Sequence, residues 1–582
     1  MFPLWTLACA FVTTRTGPRA TPTRVACATL LVPLLAAGAS AQTAGGTQAL
    51  TSHQSAHAPL AHPPAAAAAA VPLYEDLGHQ SRRVSTQSTD AQRYFDQGLR
   101  LTYGFGLPEA RRAFREAARR DSTCAMCWWG LAWALGPYIN GPSLDSASAV
   151  EAYTAVQRAV ALRERATPVE RALIEAMAAR YATHAGDGGA ASASPTRAHL
   201  DSAYADAMRE VVRRFPDDRD AGAIFGEALM VLRPWNQWTR TGEPQPGTEE
   251  VLRTLERVLR RDLRHPGACH YYIHATEASP HPERAAACAD LLGRAIPGAS
   301  HIPHMPSHTY MRMGRYGDAV HANQQARLAD QRARMGGAPG TYVAHNAHML
   351  ASAGTMDGQS AVALQAAADL GRAAPRVIYY HRAALARFGR WRELADAPQP
   401  AGTDPLSLGM HAFARGIGQL GVGAADGARA QLAALDTIVA VVPDTLRLGS
   451  HPTIALLGMA RGILAGELFA SQRRYAEAVD ALRAAVTFGD SLMYDEPEPW
   501  PLPPRHVLGG VLLDAGRAAD AEAVLRDDLR KHPANGWALA GLADALRAQG
   551  KHREADAVAA ELTRVWSRAD VPIVGARWRP GT

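Results

Sequence analysis

The chain has 582 residues, 47% hydrophobic, 20% charged and 7% aromatic, which excludes a chain disordered by composition and leaves room for several units of about 150 residues each. Lysine and arginine (61) nearly balance aspartate and glutamate (55), and without the three arginines of residues 1–74 the formal net charge falls from +6 to +3, so no basic stripe is on offer to nucleic acid. Beyond the first fifty residues no run reaches the roughly 18 uncharged apolar residues that a membrane-spanning helix needs.

Arg15, Arg19 and Arg24 precede an apolar stretch over 25–37 that ends in Ala39-Ser40-Ala41. A basic segment, a short apolar core and a small-residue exit predict a secretory signal peptide over 1–41, cleaved near Ala41, and a periplasmic or secreted location. Residues 42–73, with Pro63-Pro64 followed by six alanines, predict a low-complexity linker, and ordered structure is expected from near Tyr74.

The remainder repeats. Gly550 and Ala555 follow Gly516 and Ala521 by 34 residues, with Leu508-Gly509 before them and Pro533 between. The pattern recurs in Gly98, Ala110, Phe114 and Ala117, in Tyr310, Gly314, Tyr316 and Ala319, and in Gly466, Tyr475, Ala478, Leu482 and Ala485, with Gly389 and Trp391 marking a degenerate copy. This period is that of the tetratricopeptide repeat (TPR), a helical hairpin that buries its apolar face by stacking on its neighbours. The expected fold is all-α, a TPR α-solenoid wound as a right-handed superhelix. Degenerate repeats are expected over 74–260, histidine-rich central repeats over 261–365, C-terminal repeats over 366–570 and a tail over 571–582. Three stretches break the period: a Gly/Ala/Ser loop at 186–194, a Trp- and Pro-containing insertion at 233–247 and an acidic, Pro-rich insertion at 494–504. Such insertions map to surface loops and are candidate lids or interface elements.

In this repeat, positions 2, 5, 9, 12 and 13 of helix A face the concave groove. His270 and His274 fall at positions 5 and 9, and His304 and His308 repeat them 34 residues on. His301 and His345 fall at position 2 of their repeats, His348 at position 5, Glu277 at position 12 and Arg312 at position 13. The phased set is therefore expected to line one groove. Histidines four apart share a helix face, so His270, His274, His304, His308 and His348 are candidate ligands for zinc or copper, with Glu277 as a carboxylate ligand or base. The same residues suit a metal-free groove for a peptide, protein segment or small ligand, and some suit plain helix packing. The H-E-x-x-H protease signature is absent, and no residue is singled out as catalytic. Trp129 and Trp133 share a helix face upstream, as core aromatics or as an exposed platform in the groove. Past the leader, Cys124, Cys127, Cys269 and Cys288 are an even set that suits disulfides in an oxidising compartment, Cys269 and Cys288 lying on facing sides of one hairpin.

The segments His270-Tyr271-Tyr272-Ile273-His274-Ala275 and His304-Met305-Pro306-Ser307-His308, with Cys127-Trp128-Trp129-Gly130 and the stretch 243–250, resemble a family of exported bacterial TPR proteins that share H-Y-Y-I-H-A and H-M-P-S-H motifs. The resemblance covers roughly residues 90–570; Tyr138 stands where the family has asparagine and Thr309 where it has isoleucine. It implies an α-solenoid with a binding role and carries over no catalytic residue. The expected function is an exported scaffold that binds a peptide, protein or small ligand, without nucleic acid and without a transmembrane segment in the mature chain. A metal-binding protein or metal-dependent enzyme is the alternative. Convergence separates the two: an ion needs three or more histidine nitrogens near one point, whereas a peptide groove spreads them along its length.

Overall fold

Antiparallel helical hairpins follow one another along the chain in the computed structural model, which describes residues 71–181, 196–336 and 340–578. The expected leader and the loop at 186–194 lie outside the described residues. The series starts with Thr89–Tyr103 against Leu107–Arg120 and Ala125–Leu135 against Ser146–Ala161, and it ends with Gly536–Ala548 against His552–Val565. Among the described residues the strands are a two-residue pair, Arg447–Leu448 with His451–Pro452. The chain is an all-α TPR-type solenoid.

Local chemistry explains the hairpins. The helix Leu107–Arg120 opens with Pro108 in its first turn and closes on Arg119 and Arg120, which suit the negative end of the helix dipole. Its buried stripe is Ala110, Ala113, Phe114 and Ala117. The Phe114 ring fills the notch left by two glycines on the flanking helices: a Cβ on Gly130 would meet Phe114 Cε1 at 2.3 Å, and one on Gly98 would meet it at 2.7 Å. The periodic glycines Gly314, Gly516 and Gly550 leave their helices with φ of +72°, +73° and +73°, a left-handed turn that side chains resist.

The concave face is not left open. Near the N-terminus, Gly298 donates its backbone N–H to Asp76 (2.8 Å), and Tyr103 packs edge-on against Tyr271 of the helix Pro266–Glu277. From the other end, Trp537 Nε1 donates to the Thr355 carbonyl (3.1 Å), Arg568 pairs with Asp357 (2.7 Å), and Tyr379 donates to the Pro499 carbonyl (2.8 Å). Both insertions turn inward, Trp238 Nε1 donating to the Ala275 carbonyl (2.8 Å) and Tyr494 donating to Glu277 (3.2 Å).

Packing begins by Val71, whose carbonyl accepts from Tyr94 (2.8 Å), ahead of Tyr74. Within the expected tail, Trp578 is 4% exposed beneath Arg387 and Arg577 pairs with both Glu467 and Asp514. The apolar helix Thr453–Ser471, long enough to cross a membrane, is 83% buried in the interior and carries Arg461 and Glu467.

The glycine notch gives a test of the packing. Gly130→Ala should lower stability by about 1–3 kcal/mol through overpacking against Phe114. Combining it with Phe114→Leu should cost less than the sum of the two single changes, read by urea denaturation.

Candidate functional site

Four helix segments bring the histidines together. Pro266–Glu277 carries His270 and His274, His301–His304 carries the residues at its two ends, Pro306–Arg312 carries His308, and Val343–Met356 carries His345. Pro303 and Pro306 interrupt the helix between the second and third of these.

The rings form two adjacent triads. In each, one nitrogen from every ring lies within 4.8 Å of the others: His270, His274 and His301 in the first, His304, His308 and His345 in the second. In the second triad His304 Nε2 is 2.8 Å from His308 Nε2 and 2.8 Å from His345 Nε2. All six rings are buried, none more than 3% exposed.

The other ring nitrogens fix which way the lone pairs point. His270 Nδ1 donates to the Tyr103 carbonyl (2.6 Å), and His274 Nδ1 donates to Glu277 Oε1 (2.9 Å). His308 Nδ1 lies against Glu277 Oε2. His304 Nδ1 faces Asn323 Oδ1 (2.7 Å), whose orientation follows from Asn323 Nδ2 donating to the Ala319 carbonyl (2.8 Å). A carbonyl, a carboxylate and an amide oxygen only accept, so the Nδ1 atoms hold the protons and the Nε2 atoms present lone pairs. His270 Nε2 and His274 Nε2 are buried with no hydrogen-bond partner.

Burial holds four of these rings, His270, His274, His301 and His304, below the ordinary histidine pKa. Burial, then neighbouring His274, pushes His270 well below the ordinary histidine pKa; burial and His308 do so for His304, and burial and His270 for His301. Burial also lowers His274, against the opposing hydrogen bond to Glu277. For Glu277 burial acts upward, but His308 and the hydrogen bonds from His274 and His308 outweigh it and hold the carboxyl well below its usual range. Neutral imidazole is the form that ligates metal ions.

Aromatic side chains seal the first triad. Phe105 packs 4.4 Å from His270 and 5.4 Å from His301, and Trp235 meets His274 edge-on at 4.9 Å. Both hold left-handed backbone, φ 52° for Phe105 and 60° for Trp235, a conformation that costs a bulky residue on the order of 1–3 kcal/mol. Beyond Trp235 and Tyr494 lies a cleft of about 520 Å³ between the two insertions, with Arg240, Arg312, Trp500 and Lys531 also in its wall.

Several expectations change. The phased histidines line no open groove: the first repeat and both insertions cover them. His348 leaves the ligand set, since its ring packs against Tyr380 at 4.1 Å and belongs to neither triad; burial pushes its pKa down to about 3. His345, in the first turn of Val343–Met356, reaches His304. His301, expected in the groove alone, joins the first triad. Glu277 stands between two imidazoles, its two oxygens engaged by ring nitrogens of His274 and His308. Arg312 sits apart, donating to the Ser279 carbonyl (3.1 Å) with its guanidinium over Tyr494. Trp129 and Trp133, 1% and 4% exposed, are core residues and form no platform; Trp129 Nε1 donates to the Leu173 carbonyl (3.1 Å). The structure joins Cys124 to Cys127 and Cys269 to Cys288 as disulfides, the second one residue from His270. Asn323 and the Tyr103 carbonyl had no sequence signal; Trp235 and Tyr494 had one, the insertions that carry them.

No protein-family model matches the chain, and no curated protein does. Solved structures that align include a human IFIT1 dimer with m7Gppp-AAAA, at 11% identity and TM-score 0.29, covering 82% of this chain and 91% of that one. Yeast Tom70 aligns at 9% identity and TM-score 0.27, over 83% and 91% of the two chains. The P58(IPK) TPR domain aligns at 10% identity and TM-score 0.20, over 80% and 100%. Scores this low carry no functional argument, and the fold assignment rests on the repeat geometry.

Behind Tyr271, Glu227 is buried, and desolvation overrides Arg180 to raise its pKa to about 7, with Asp201 pushing the same way. A carboxyl whose folded pKa lies above its unfolded value of about 4.5 stabilises the fold below that value and loses the contribution as pH rises through 7. Glu227→Gln should therefore gain up to about 3 kcal/mol on the parent between pH 4.5 and pH 7, with little change beyond, in denaturation series across pH.

Proposed function

We propose that this protein is a metal-binding member of the exported bacterial TPR family its motifs resemble, and that it holds zinc or copper through imidazole nitrogens inside a closed solenoid. One observation carries the reading. His304 Nε2 and His308 Nε2 approach to 2.8 Å while their Nδ1 atoms are engaged by acceptors. With the Nδ1 of each ring committed to an acceptor, the two Nε2 atoms set lone pair against lone pair, and burial disfavours an extra proton on His304. A cation does relieve them. Two nitrogens bound at about 2.0–2.1 Å to one ion stand about 2.9 Å apart at right angles, as in tetragonal copper(II), and about 3.4 Å apart in tetrahedral zinc, so the observed spacing lies nearer the copper arrangement. The surrounding acceptors are those a bound metal uses to orient and enrich its histidine ligands.

Imidazole suits both zinc and copper, and three nitrogens leave a coordination position for water or a small ligand. The leader pattern at 1–41 and the two disulfides support an exported, oxidising location. Burial of the histidines under Phe105, Trp235 and Tyr494 weighs against a peptide lying along them.

The test is metal analysis of untagged protein beside a His270→Ala/His304→Ala variant. Near-stoichiometric zinc or copper is expected in the parent and its loss in the variant. Added ion at 100 times its dissociation constant should stabilise the parent by about 2.7 kcal/mol and leave the variant unmoved. A parent that stays metal-free after incubation with each ion overturns the proposal.

A further inference from the structure

The two triads are not separated by any layer of protein. His274 and His308, from different triads, meet edge to face at 5.4 Å, and His301 stacks on His304 at 5.5 Å. Glu277 spans the junction, Oε1 on His274 of the first triad and Oε2 on His308 of the second. The arrangement follows from the repeat: His270 and His274 recur as His304 and His308 on the stacked hairpin, and each pair recruits a third ring, His301 or His345, from the next segment.

We propose that the triads act as one dinuclear centre, two ions each bound by three imidazoles and joined by a small oxygen anion such as hydroxide. This rests on the metal-binding reading above and extends it. The argument is first one of charge. Bound as ligands, imidazoles bring no charge, and Glu277 sets one carboxylate against the rings, all of these groups being buried. Two divalent ions would leave an excess of three positive charges there, and burying uncompensated charge is costly. An anion shared between the ions lowers that excess and fills the open position that three nitrogens leave on each. Geometry supplies the second argument, since two-metal sites place their ions about 3.5–4 Å apart and these triads meet ring to ring. Glu277 couples them as well: positive charge drawn onto His274 by one ion and onto His308 by the other falls on the two oxygens of one carboxylate.

Copper(II) is the probe, because a lone Cu(II) ion gives a full electron paramagnetic resonance signal while two bridged ions cancel or broaden theirs. The parent protein is titrated with Cu(II), bound copper being counted separately from spins. Two coppers per chain are expected, with the integrated signal at saturation well under half that of two isolated ions. Loading one equivalent of zinc before one of copper should restore an isolated signal, with no mutation and hence no question of folding. His345→Ala should bind one copper with a full signal. Two bound coppers with two full signals, or a single bound copper in the parent, overturn the dinuclear centre and leave the metal-binding reading in place. No bound copper or zinc removes that reading itself.

Discussion

A single carboxylate sets the interior of this protein. Glu277 ends the helix that carries His270 and His274, and its two oxygens engage His274 and His308 of successive hairpins. Buried and ionised, it needs those two N–H groups as much as they need it. Their commitment turns the remaining nitrogen of each ring inward, and from that follows the convergence of Nε2 atoms. Asn323 and the Tyr103 carbonyl repeat the device at His304 and His270.

The fold was largely legible because the TPR period lives in local features: a glycine that ends a helix, a small residue where helices touch, an aromatic that fills the gap. The phasing of His270, His274, His304 and His308 was legible for the same reason, since a fixed repeat carries a side chain to the same face each time. What escaped depended on distant contacts. His348 was placed by its repeat position, but its ring packs against Tyr380 while His345 meets His304. The covering of the concave face escaped too, because it is made by residues far away in sequence: Phe105 from the first hairpin, Trp235 and Tyr494 from the two insertions. Periodicity says which face a residue occupies and nothing of what lands on that face later.

The left-handed backbone at Phe105 and Trp235 fits this picture. Strain of that kind persists only where the surroundings over-determine it, and it tends to mark sites where placement of a side chain matters. Here the two strained residues both put their rings against the first triad. The cover they form excludes water from the imidazoles and makes passage to the interior a matter of local opening. Release of an ion seated there would be set by the frequency of that opening as well as by the strength of its bonds.

Closure of the solenoid has a wider result. In an open repeat array each hairpin touches only its neighbours, so stability adds up along the chain and end repeats can be trimmed. Here Arg568 is tied to Asp357, Trp537 to Thr355, and Tyr103 to the His270 helix. These links join hairpins that are remote in order, and they convert a one-dimensional stack into a ring of mutual dependence. Such a chain gives up modularity: its last hairpins belong to the same cooperative unit as its histidine helices.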